Sequence, residues 1–209
     1  MKLFLDSADT DSIVSRYNTG LIAGVTTNPT LIKKSGREPQ DVYNELIKTG
    51  IPDISMEITA DNADEFFSRS MGHVKTYGDH TTIKLPCSVD GLKACKRLSD
   101  VSIRVNVTLI FSPAQAVLAS LAGATYISPF IGRMDDNSLD GMKLINDIKN
   151  TGISSQILAA SLRDAQSVST AFALGADICT VPVSVFDNMY KHVLTDKGLE
   201  QFNKDALDF

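Results

Sequence analysis

The chain has 209 residues, 43% of them hydrophobic and 22% charged, with a net charge of −5 at pH 7. Such a length and balance fit one folded domain, and an acidic excess without any basic block offers no footprint for nucleic acid or an anionic membrane surface. No apolar run is long enough to span a bilayer, and Met1–Asp6 is too short and too soon acidic for a secretion signal.

Short apolar runs alternate with amphipathic segments from end to end. A first strand is predicted near 2–6, where alternation turns Asp6 away from the face shared by Leu3 and Leu5. A second falls near 23–27 and runs into Thr26-Thr27-Asn28-Pro29-Thr30. Proline disfavours a helical residue before it, so Asn28 is held extended and its amide faces the strand end; a plain turn would look similar. A helical pattern over 40–48 leads to a third strand near 53–58, with Ile54, Met56 and Ile58 on one face and Glu57 on the other. The fourth, near 81–86, sets Ile83 and Leu85 opposite Thr82 and Lys84. The fifth, near 102–109, sets Asn106 and Thr108 opposite Ile103, Val105 and Val107. Pro113–Ala122 follows as a helix, with Ser112 as its cap, Pro113 in its first turn and Gly123 as its stop. Strands near 125–131, 156–161 and 178–182 complete the series, the last after a helix that Gly175 ends. Residues 184–209 read as helices, and Phe202, Leu207 and Phe209 would dock on this domain or on a neighbouring subunit.

Strand–helix alternation predicts a parallel sheet, because parallel neighbours need crossover connections. Eight units closing on themselves make a single-domain α/β (βα)8 TIM barrel over 1–209, with 184–209 as C-terminal helices. An open doubly wound sheet is the competitor; unit count and even spacing favour the barrel. In a barrel the apolar strand faces meet the helices, so the opposite faces point inward. Asp6, Glu57, Lys84, Asn106 and Thr108 then converge near the strand ends where barrel active sites sit.

Any one of these residues fits a structural role, as a satisfied inward polar group or a strand-end lysine snorkelling to water. Together they suit carbonyl chemistry. Burial can lower a lysine pKa by roughly 3–5 units, freeing an amine to attack a carbonyl while acids move protons. Ser128-Pro129-Phe130-Ile131-Gly132-Arg133 and Ala159-Ala160-Ser161-Leu162-Arg163 close the sixth and seventh strands. Barrel loops at those places often hold phosphate, and arginine with serine suits that work. The plain alternative for Arg163 is pairing with Asp164 or solvent. Cys87, Cys95 and Cys179 are odd in number and lack metal-site spacing, so they read as reduced thiols of a cytoplasmic protein. His73, His80 and His192 form no ligand pair, and neither a Gly-rich dinucleotide fingerprint nor a phosphate-loop lysine motif occurs. The sequence points to no metal and no organic cofactor.

With these motifs in order over essentially the whole chain, the sequence resembles the transaldolase family, in its small single-domain branch that includes fructose 6-phosphate aldolases. The resemblance is carried by Leu5-Asp6-Ser7-Ala8, Gly24–Pro29, Ile83-Lys84-Leu85-Pro86, Asn106–Ser112, Ser128–Arg133 and Ala160–Arg163. It implies that Lys84 forms a Schiff base and that Asp6 handles the proton of the substrate hydroxyl at the bond made or broken. Glu57, with Thr108 and a water, would shuttle protons for carbinolamine formation and dehydration. Asn28 and Asn106 would hydrogen-bond the dihydroxyacetone portion, and Thr26, Ser128 and Phe130 would line the sugar site. Arg133, Ser161 and Arg163 would take the phosphate.

The implied partners are sugar phosphates and further copies of the chain, in pentamer-based homo-oligomers or decamers. Aldolases of the branch carry Gln where Glu57 stands and Tyr where Phe130 stands, so both positions match the transferase pattern. Leu162, where Phe is frequent, and Ser7, where Thr is common, are minor departures. The activity implied is transfer of a dihydroxyacetone unit from sedoheptulose 7-phosphate or fructose 6-phosphate to an aldose phosphate, in the pentose phosphate pathway. Two alternatives stand beside it: an aldolase releasing free dihydroxyacetone, and a non-catalytic barrel that binds sugar phosphates.

Overall fold

Eight parallel strands close into a barrel in sequence order, in a computed structural model that describes residues 1–208; Phe209 lies outside the described residues. The strands are β1 (Lys2–Asp6), β2 (Ile22–Thr26), β3 (Ile54–Glu57), β4 (Thr81–Pro86), β5 (Val105–Ile110), β6 (Tyr126–Pro129), β7 (Gln156–Ala159) and β8 (Ile178–Val181). Each pairs with the next, and β1 pairs with β8, Leu5 opposite Val181. That last pairing removes both sheet edges and with them the open doubly wound alternative.

The helices are α1 (Thr10–Tyr17), α2 (Pro29–Ser35), α3 (Pro39–Lys48), α4 (Ala63–Tyr77), α5 (Val89–Asp100), α6 (Pro113–Leu121), α7 (Ile131–Asp136), α8 (Gly141–Asn150), α9 (Ala165–Ala173), α10 (Val183–Asn188) and α11 (Val193–Asp205). Local chemistry sets where many begin. Asp9, Asn28, Asn62, Ser88, Ser112 and Asp164 each accept a hydrogen bond from the backbone N–H three residues on, satisfying a donor the helix leaves free. Pro29, Pro39 and Pro113 stand at first helical positions, where a missing N–H costs nothing.

The main core lies between barrel and helices. Val25, Met56, Ile83, Leu85, Val107 and Ile127 are fully buried against residues such as Leu46, Leu98 and Ile145. A second cluster of Phe4, Tyr126, Leu158 and Ile178 plugs the N-terminal end of the barrel interior. Gly24 makes room for it: a Cβ there would lie 2.6 Å from the Phe4 ring and 2.7 Å from the Asp53 carbonyl. Beside the plug, buried Asp53 accepts from Tyr126 Oη at 2.6 Å and Thr82 Oγ1 at 2.8 Å, and pairs with Arg104 at 3.3 Å. An inward carboxylate so fully partnered is structural.

Strand limits differ from expectation where non-glycine residues take left-handed backbone. β5 starts at Val105 rather than near 102 because Ser102 turns with φ 61°. Its pairing with β6 shifts register between Val107 and Ile110, around Leu109 with φ 61°, before the strand ends at Ile110. β6 stops at Pro129 because Ile131 opens α7, and β7 stops at Ala159, two residues before Ser161 at φ 61°. At the other end of the chain no residue of α11 is buried, and Val193, Leu194, Leu199 and Phe202 are exposed.

Candidate active site

β3 and β4 pair with Glu57 opposite Lys84. The Lys84 Nζ lies 3.0 Å from Glu57 Oε2 and donates to the Thr27 carbonyl at 3.1 Å. Alternation thus turns Lys84 inward as expected. The amine is not isolated, however: it is buried in an ion pair, with a proton acceptor already at hydrogen-bond distance.

Asp6 ends β1. Its Oδ1 accepts from Thr26 Oγ1 at 2.7 Å, and Thr26 Oγ1 lies 2.6 Å from Thr180 Oγ1. Burial raises the Asp6 pKa above the ordinary carboxylate value; the Thr26 hydrogen bond and the Lys84 charge oppose this, and the Glu57 charge adds to it. On β5, Asn106 is oriented at both ends, with Ser128 Oγ donating to its Oδ1 at 2.7 Å and its Nδ2 donating to Ser55 Oγ at 3.2 Å. One pleat further along, the Thr108 hydroxyl is buried and has no hydrogen-bond partner among the described residues.

Asp6, Lys84, Asn106 and Ser128 face one cavity of about 130 Å³. Thr26, Asn28, Phe130, Arg133 and Ser161 also line it. Asn28 is extended before Pro29, but its side-chain oxygen caps α2 by accepting from Leu31 N–H at 2.9 Å. Its NH₂ group and the second lone pair of that oxygen remain to serve the cavity. Phe130 packs edge-on against Phe111 with centroids 6.1 Å apart, and the Arg133 guanidinium stacks 5.0 Å from the Phe130 centroid. Gly132 lets the start of α7 approach the end of β7, since a Cβ would lie 2.3 Å from the Ser161 carbonyl and 2.7 Å from Arg163 Nε.

Three expected residues stand apart from that cavity. Glu57 meets it only through Lys84, Thr108 lies within the wall, and Arg163 is exposed and paired with Asp136. The partner of Arg163 is therefore not Asp164, which caps α9. Sequence reasoning missed Thr180, which alternates on β8 between Cys179 and Val181 just as Asp6 does on β1. It also missed the Thr27 carbonyl, a backbone group with no side-chain signal.

The arrangement sets one amine between two acids, Glu57 in contact and Asp6 across the cavity, with amide and hydroxyl donors around them. That constellation suits capture of a carbonyl by the amine with proton transfer on both sides. The family model described as transaldolase/fructose-6-phosphate aldolase matches residues 3–208. The chain is 51% identical over 209 residues to a probable transaldolase of Caulobacter vibrioides, covering 98% of this chain and 96% of that one. It is 47% identical to probable transaldolases of Anaeromyxobacter sp. (strain K), with 98% and 96% covered, and of Geobacter sulfurreducens, with 98% and 97% covered.

Proposed function

The chain belongs to the transaldolase/fructose-6-phosphate aldolase family, and we propose that within it this enzyme is a transaldolase working through a Schiff base on Lys84. The observation that carries this reading is the buried Lys84–Glu57 pair at 3.0 Å, with Lys84 lining a cavity that Asp6 also lines. Glu57 takes the ammonium proton, and the amine adds to C2 of a ketose phosphate such as sedoheptulose 7-phosphate or fructose 6-phosphate. The C2 oxygen leaves as water with a proton from Glu57, assisted by Thr108, and an iminium remains. Asp6, ionised above its raised pKa, accepts the C4 hydroxyl proton while the C3–C4 bond breaks. The bonding electrons pass into the iminium, an aldose phosphate departs, and an enamine stays on Lys84. A second aldose phosphate accepts the enamine carbon, and Asp6 returns the proton to its carbonyl oxygen.

Asn28, Asn106, Thr26 and Ser128 hold the dihydroxyacetone portion, and Arg133, Ser161 and Arg163 take the phosphate. Phe130 has no hydroxyl with which to protonate the enamine carbon, which supports transfer over release of free dihydroxyacetone. The pathway served is the pentose phosphate pathway in the cytoplasm. The exposed apolar residues of α11 support a homo-oligomer, built from pentameric rings as the resemblance implies.

Borohydride reduction in the presence of fructose 6-phosphate, followed by intact mass, tests the reading. A lasting adduct that is lost in Lys84→Ala supports it. No adduct on the wild-type chain overturns it and leaves a barrel that merely binds sugar phosphates.

A further inference from the structure

Glu57 meets water more than its partner does: 18% of its side-chain surface is open, against 5% for Lys84. The opening is not into the barrel cavity, since Glu57 does not line that cavity. It gives on a second hollow of about 400 Å³ outside the barrel, bordered by Pro29, Lys33, Tyr43, Thr59 and His73. The two hollows have no lining residue in common, and Lys84 faces one while Glu57 faces the other. Their 3.0 Å contact is thus the partition between an interior space and an exterior one. On the far side of the barrel cavity, buried Phe4, Tyr126, Leu158 and Ile178 pack together, Leu158 itself lining the cavity.

We propose that this outer hollow is the path by which water made and consumed at Lys84 exchanges with solvent while a sugar fills the barrel cavity. The proposal rests on the Schiff-base reading above. Adding the amine to a carbonyl carbon forms one C–N bond and moves one proton from nitrogen to oxygen. The C–O bond then breaks as Glu57 hands its proton to the leaving hydroxyl, giving one iminium, one water and a carboxylate. The return step consumes one water and reprotonates Glu57. A water formed there has the sugar on one side and the Glu57 carboxylate on the other. The Glu57 carboxylate keeps 18% of its side-chain surface open, so a swing of that group lets water past. The hollow's polar wall of Tyr43, Thr59 and His73 gives such a water partners on its way.

The test plugs the hollow from its outer rim. Thr59→Trp and Lys33→Trp alter exposed residues that take no part in the proposed chemistry. Two rates are compared with fructose 6-phosphate: loss of oxygen-18 from its C2 carbonyl into ordinary water, corrected for enzyme-free exchange, and formation of the borohydride-trapped Lys84 adduct. In the plugged variants the released water returns to the carbon it left, so exchange falls several-fold relative to trapping. Thr59→Ala, which leaves the hollow open, keeps the wild-type ratio. A variant that only disturbs the fold lowers both rates together and counts against the proposal, as does an unchanged ratio in whichever tryptophan variant folds. Failure of the wild-type chain to give any trapped adduct overturns the Schiff-base reading instead, and so separates the two failures.

Discussion

The ion pair between Lys84 and Glu57 meets solvent more on the carboxylate side, with 18% of the Glu57 side chain open against 5% of Lys84. Glu57 opens on an outer hollow, whereas Lys84 is nearly buried at the barrel cavity and, among the described residues, has the Thr27 carbonyl as its other acceptor. Removing one partner or the other therefore has unequal consequences. Glu57→Leu strands a buried ammonium, and breaking a buried pair this way costs about 3 kcal/mol, at the low end of measured values. For a chain of this length that lowers Tm by about 6 °C or more. Lys84→Met leaves a carboxylate that still reaches water, and its stability stays within about 1 kcal/mol of wild type. Urea unfolding of both variants checks this. Equal losses would mean that Glu57 is no better solvated than Lys84.

Asp6 supplies a prediction with a defined sign. Its folded-state pKa is raised, chiefly by burial, so the fold favours the protonated acid. The stability linked to that proton is fully present below the unfolded carboxyl pKa and is lost as pH rises through the folded value. Asp6→Asn cannot ionise and keeps an oxygen for the Thr26 hydroxyl. It is therefore expected to melt above wild type at pH 7, with the gain shrinking as pH falls toward about 4, the ordinary range of a carboxyl group. Turnover drops by about 10²–10⁴, the usual worth of a positioned acid or base. A thermal advantage that is the same at both pH values would rule out Asp6 ionisation as its source.

Much of this site was legible because strand alternation follows from covalent geometry. Reading Asp6, Glu57, Lys84 and Asn106 as inward-facing required only the apolar partners of each strand. What escaped depended on contacts between distant segments. Arg163 has Asp164 beside it in sequence, yet it pairs with Asp136, 27 positions away, because Gly132 brings α7 against the end of β7. Left-handed backbone at Ser102 and Ser161 carries no mark in the residue type, so the expected start of the fifth strand and end of the seventh each overran the observed β5 and β7. Asp53 was passed over at the edge of its strand, although Tyr126, Thr82 and Arg104 all converge on it.

The two arginines are expected to separate by substrate. Arg133 lines the cavity, while Arg163 sits on the surface against Asp136. An ion pair between groups this exposed contributes little, so a phosphate can draw Arg163 away from Asp136. Arg133→Ala then raises KM for fructose 6-phosphate about tenfold or more, through loss of charge-assisted hydrogen bonds, and leaves unphosphorylated fructose nearly unaffected. Arg163→Ala raises it less, and Asp136→Asn, which frees Arg163, lowers it. KM values for the two sugars decide the matter; if Arg163→Ala and Asp136→Asn both leave them unchanged, Arg163 has no part in binding phosphate.

On the proposed reading, Phe130 sets the balance between transfer and release. Its ring lines the cavity, held by Phe111 at its edge and by the Arg133 guanidinium stacked 5.0 Å from its centroid. A tyrosine at this position keeps both contacts and adds one hydroxyl. An enamine on Lys84 must take a proton on carbon before dihydroxyacetone can leave by hydrolysis, and phenylalanine offers none. Phe130→Tyr is therefore expected to release free dihydroxyacetone from fructose 6-phosphate at least tenfold faster than wild type when no acceptor is present, a modest share of what a positioned acid supplies (~10²–10⁴). Transfer to an added aldose phosphate falls in the same variant, because protonation now competes with the acceptor for one carbon. Coupled-enzyme assays with and without acceptor measure that partition. Wild-type release as fast as wild-type transfer would show that the missing hydroxyl does not protect the enamine, and the protein would then act as an aldolase.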